Sequence, residues 1–83
     1  MIYPMFSVSD IRAKEFSIPR ADLNEDCAKR YFAMQVNTPE NMISFAPQDF
    51  ELFYVGDFDS STGMFKEIIP QFICRGSELV GVK

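Results

Sequence analysis

Sixteen residues in the middle of the chain, FELFYVGDFDSSTGMF at 50–65, leave little choice of local structure. Phe50, Leu52, Tyr54, Gly56 and Phe58 alternate with Glu51, Phe53, Val55, Asp57 and Asp59. That is the period-2 pattern of a strand with one apolar and one mixed face. Asp59-Ser60-Ser61-Thr62-Gly63 then supplies turn chemistry. Short polar side chains there bond backbone groups two residues on, and Gly63 is free to take a positive φ. Met64–Ile69 resumes an extended, apolar-rich run that Pro70 is expected to break. The pattern predicts a β-hairpin, and the rest of a short chain must cover one face of it.

The remaining segments are read against that hairpin. Met1–Ser9 is short, apolar and rich in strand formers. Pro4 marks it as an edge strand, or one paired on a single side near its start. Asp10–Ile18 carries no clear apolar stripe, and Ile18 precedes Pro19, so an exposed loop or arm is expected. Asp22–Val36 is the one strong helix signal, with Asp22 as N-cap and Glu25 as its reciprocal partner. Leu23, Cys27, Tyr31 and Met34 form its expected core stripe, widened by Ala28, Phe32 and Val36. Asn37–Asp49 reads as a loop with one short helical turn, its Met42, Ile43 and Phe45 tucked against the core. In the tail, Phe72–Cys74 and Glu78–Val82 read as short strands. The order is β-α-β-β, which implies a single α+β domain over 1–83: a small, mostly antiparallel sheet with one helix packed on a face. Such a unit leaves its other sheet face open. With Phe53 and Val55 on that face, and twelve aromatic rings in 83 residues, a homodimer is expected.

Charge and residue types exclude several functions. Net charge is −4, which argues against a conventional basic nucleic-acid binder. The chain has no histidine, which removes the commonest general base and the usual zinc ligands. Cys27 and Cys74 lack metal-ligand spacing and read as reduced thiols. No apolar run approaches the length of a membrane span, and the N-terminus lacks a signal-peptide layout, so a cytosolic protein without membrane contact is expected.

Three sets of residues carry possible chemistry. Asp57, Asp59 and Glu51 are expected on one side of the strand, where paired carboxylates can hold a cation; a solvated strand end and turn-forming Asp is the stronger reading. Ser60–Gly63 has neither a partner base nor a Walker-type lysine, so it reads as a turn. No catalytic residue, metal site or cofactor is expected. The third set is cationic. Residues 1–36 hold five basic groups, Arg12, Lys14, Arg20, Lys29 and Arg30, against five acidic ones, whereas 37–83 hold three against seven. These five could track phosphates across the arm and the helix, with Tyr3, Phe6 or Tyr54 stacking on bases. Ordinary surface charge and core aromatics explain the same residues.

Family likeness weighs between these readings. MFSVSDIRAKEF at 5–16 resembles the opening of the small non-structural proteins of gokushoviruses, single-stranded DNA phages of the microvirus group. PQDFELFYVGDFDSSTGMF at 47–65 is similar to their central Pro-x-Asp-aromatic-x-Leu-aromatic-x-x-Gly-x-Phe-Asp-x-x-Thr-Gly-x-aromatic segment. Between the two lies an Ala- and aromatic-containing helix ending at Val36-Asn37, as in that family. The resemblance runs from the N-terminus to about Phe65. It implies a non-enzymatic protein of the host bacterial cytoplasm that binds single-stranded DNA in viral genome replication, in the switch to single-strand synthesis and packaging. Arg12, Lys14, Arg20, Lys29, Arg30, Tyr3 and Tyr54 are then the DNA-binding candidates. The alternative is an acidic adaptor or assembly factor that binds a viral or host replication protein and never touches DNA.

Overall fold

Strand β1 (Ile2–Asp10) is an interior strand of the sheet in a computed structural model that describes residues 1–82. Two short strands, β2 (Glu15–Phe16) and β3 (Arg20–Ala21), pair antiparallel along one side of it. Strand β4 (Phe50–Asp59) pairs antiparallel along the other, and β5 (Met64–Arg75) continues outward from β4. Helix α1 (Glu25–Asn37) covers one face, and a short helix α2 (Met42–Phe45) follows it. The fold is α+β: an antiparallel five-stranded sheet with one main helix.

Several expectations are corrected. β1 is not an edge strand, but near its start, at Ile2–Pro4, it pairs in register on one side only, with β4, the other arrangement expected of it; at Pro4 the ladder toward the arm needs only the proline carbonyl, which accepts from Asp22 N at 3.1 Å. β5 does not stop at Pro70. It is the outer strand, and Ile68–Pro70 bulge against the single residue Val55, so the missing N–H interrupts no ladder bond. Residues 78–82 form no strand; Gly76–Leu79 is a 3-10 turn that drops Leu79 into the core. Ile43 packs on the core as expected, but Met42 and Phe45 point outward, Phe45 at 84% exposure.

The helix is shifted and rotated from its expected placement. Asn24, not Asp22, is the N-cap, its Oδ1 accepting from Cys27 N at 2.9 Å. Asp22 is unavailable because its backbone still belongs to the β1–β3 pairing. The buried stripe is Ala28, Phe32, Ala33 and Val36; Leu23, Tyr31 and Met34 are exposed. Two stripes at helical spacing compete on this helix. The one with two alanines wins because it lets the helix lie close to the sheet, with Phe32 fully buried between Phe6, Phe50, Leu52, Cys74 and Leu79.

Register irregularities divide the residues between the two sheet faces. Phe6 pairs with Tyr54 but Met5 pairs with Gly56, so Val55 is an extra residue and the alternation of β4 inverts there. Leu52 and Tyr54 therefore face α1, while Gly56 and Phe58 face the other way. Glu51 likewise lies on the face opposite Asp57 and Asp59, which separates the expected carboxylate set. Among the described residues no three acidic or thiol groups come together as a metal site. Asp59 instead shapes the hairpin turn: its Oδ1 accepts from Ser61 N at 2.9 Å and Ser61 Oγ at 2.6 Å, and these bonds hold its carboxyl below the usual range.

Candidate nucleic-acid interface

The exposed loop or arm expected at residues 10–18 is a pinned β arm. Asp10 Oδ1 accepts from Arg12 N at 3.0 Å and Ala13 N at 3.1 Å, closing the turn Ile11–Lys14. Lys14 takes φ 58°, and β2 returns along β1. Ser17 then locks the arm down. Its carbonyl accepts from the buried Ser7 Oγ at 2.7 Å, and its Oγ accepts from Val8 N at 2.9 Å. With Ser17 fixed and Pro19 forcing extended backbone, Ile18 projects into solvent at 91% exposure.

The arm leads directly to Arg20. In β3 this residue pairs with Phe6, whose ring faces α1, so the Arg20 side chain also rises toward the helix. Its guanidinium carbon lies 3.5 Å from the centroid of the Tyr31 ring. Beneath the pair is a cleft of about 220 Å³ between arm and helix. Its floor is apolar, formed by Phe6, Phe32 and Leu52, and its mouth carries Ser17, Asp22 and Gln35. Chemically this is a small apolar cleft with a cation and polar edges at the rim.

The other candidate residues are scattered around this centre. Arg12 stands at the arm tip but its Nε is 3.4 Å from Asp49 Oδ2, so part of its charge is spent within the chain. Lys14 is exposed on the same turn. Arg30 is exposed on α1 and Lys29 is half-buried beside it. Lys29 lies near enough to Cys74 to oppose in part the burial that raises that thiol's pKa. The three aromatic candidates do not share a surface. Tyr3 pairs with Phe58 on the face away from α1. Tyr54 lies on the helix side against Phe6, ring centroids 5.8 Å apart, and donates its hydroxyl to Asp57 Oδ1 at 2.6 Å, which raises its pKa. Phe6 itself is buried.

Sequence reading missed Tyr31, Ser17, Ile18 and Gln35 as members of the site. Periodicity puts Tyr31 in the core stripe; its hydroxyl, which needs a partner when buried, is the signal in the sequence that it belongs outside. Among the described residues no helix is long and apolar enough to cross a membrane. A family model described as Phage ORF5 protein matches residues 3–79, nearly the whole chain. No curated protein and no solved structure matches it.

Proposed function

The chain belongs to the Phage ORF5 protein family, and from that premise we propose that it is a non-enzymatic phage protein that binds single-stranded DNA during viral genome replication in the host cytoplasm. The observation that carries this reading is the Arg20–Tyr31 pair over the arm–helix cleft. A guanidinium already stacked on an aromatic ring offers its outer plane to an unpaired base, and its N–H groups to the adjoining phosphate. Ile18 supplies an apolar contact at the rim, and Lys14 on the arm turn and Arg30 on the flank of α1 away from the cleft are exposed cations farther off. Binding is stoichiometric, and it biases the switch to single-strand synthesis and packaging that the gokushovirus resemblance implies.

Acidic residues limit the electrostatic part. Arg12 is tied to Asp49, and Asp22 stands at the cleft mouth. About two to four phosphates per subunit remain within reach of cations, which gives log K a slope of about −1.4 to −2.8 against log salt for single strands. Fluorescence anisotropy with a labelled oligo-dT and with duplex DNA across a salt series tests this. Single strands should bind better than duplex, with that shallow slope. No binding of oligo-dT at low salt would overturn the proposal in favour of the adaptor reading, which the net charge of −4 favours.

A further inference from the structure

The sheet face away from α1 carries half of the chain's aromatic rings and, among the described residues, no covering layer. Tyr3, Phe16, Phe53, Phe58, Phe65 and Phe72 reach it from four strands, as the register shows. Phe16, Phe53 and Phe72 form a continuous row, with centroids 5.2 Å and 5.8 Å apart and planes turned by 62° and 76°. Phe16, Phe65 and Phe72 are each about half exposed. Edge-to-face rings of this kind belong to packed interiors, and here they stop at solvent.

The exposed surface is also larger than that of a typical monomer of this mass. The chain exposes 5726 Å², whereas a compact monomer of its 9.5 kDa mass exposes about 5,050 Å². The excess, about 700 Å², is close to the roughly 800 Å² that each partner contributes to a standard stable interface. The radius of gyration agrees: 12.9 Å against about 11.8 Å for a compact chain of this length. The molecule is a slab 19 Å across its thinnest axis, a two-layer structure lacking a third layer.

We propose that a second copy of this chain is that third layer, packed face to face about a two-fold axis. The charges on the face favour a copy of itself over a polyanion. Arg75 is bonded to Glu51 at 2.6 Å, and Glu67 adds a negative charge on the same face that has no ion-pair partner among the described residues. Glu67 and Arg75 flank Phe72 on β5, so a two-fold axis near Phe72 brings Glu67 of each copy toward Arg75 of the other. This surface is separate from the arm–helix cleft, and the inference stands whether or not that cleft binds DNA.

Light scattering and sedimentation of the full chain at micromolar concentration test it. The expected mass is twice 9.5 kDa. Phe72→Glu and Phe16→Glu, both at half-exposed positions, should each weaken the dimer by about tenfold or more while keeping the wild-type circular dichroism spectrum. Glu67→Arg should weaken it, and adding Arg75→Glu should restore it. A monomeric wild type, or a dimer that both Phe variants leave intact, would overturn the proposal; the first leaves the face to a different protein and the second moves self-association to another surface.

Discussion

The Phe65 ring on β5 lies over Gly56 on β4 and occupies the space where a side chain at that position would begin. Gly56 has φ 150° and sits where the alternation of β4 inverts, with the Lys66 carbonyl on its other flank. The cross-strand ring and the bare glycine therefore work as one unit that seals the bulge.

Gly56→Ala should destabilise the protein by about 2 kcal/mol or more, through both the backbone conformation and the steric overlap. Removing the ring as well, in Gly56→Ala with Phe65→Ala, should recover only part of the loss, since the Lys66 carbonyl still blocks the methyl group. Urea unfolding of the two variants checks this; full recovery would mean that the backbone tolerates alanine.

Phe32→Ala should cost about 3–5 kcal/mol, because it empties the centre of the core. Tyr31→Ala, on the adjacent residue, should cost no more than about 1 kcal/mol, since it removes only an exposed ring and its contact with Arg20. Thermal melts rank the two, and the reverse order would refute the placement of the helix.

Arg20→Ala and Tyr31→Ala should each weaken oligo-dT binding by about tenfold, on the order of the stacking contribution of one base. Neither should move the melting temperature by more than a few degrees. Arg12→Ala should matter less, because its partner Asp49 already holds it. Anisotropy titrations at fixed low salt make the comparison.

Burial pushes the Cys74 thiol above its ordinary value near 9.0. The folded state therefore keeps the proton that the unfolded chain loses. This contribution to stability is complete below pH 9 and is lost as pH rises through the folded-state pKa. Wild type should lose stability over that alkaline range more steeply than Cys74→Ala, as measured by urea midpoints at successive pH values.

How far the sequence could be read depended on which rule governed each residue. The hairpin at 50–65 was legible because alternation and turn residues agree there. The inversion at Val55 was not, since a bulge depends on the partner strand and leaves Phe50–Phe58 looking strictly periodic. Asp22 lost the cap to Asn24 for a similar non-local reason: its backbone was committed to β1. Tyr31 and Phe32 are neighbours on one helix, and periodicity alone placed them both inward; only the close approach allowed by Ala28 and Ala33 separates them. The arm had no apolar stripe to find, being held by the polar contacts of Ser7 and Ser17. The five cations were visible as a group, but that Arg12 is paired with Asp49 and Arg20 is stacked are facts of tertiary placement.

Asn37 ends α1 by reaching forward in the chain: its Nδ2 donates to the Leu79 carbonyl at 2.9 Å, and its Oδ1 accepts from Gly81 N at 2.7 Å. Leu79 is also a core residue beside Phe32. Local bonds from Thr38 and Asn41 serve the Met34 and Gln35 carbonyls, but the Asn37 side chain lacks its distant partners, and α1 its full apolar bed, until residue 81 is in place. On the ribosome, β1, the arm and α1 emerge early and must wait, with Phe32 unsheltered, while the whole β4–β5 hairpin is synthesised. Closing the core around α1 is therefore a long-range event that joins residues 37 and 81, and formation of the helix alone cannot complete it.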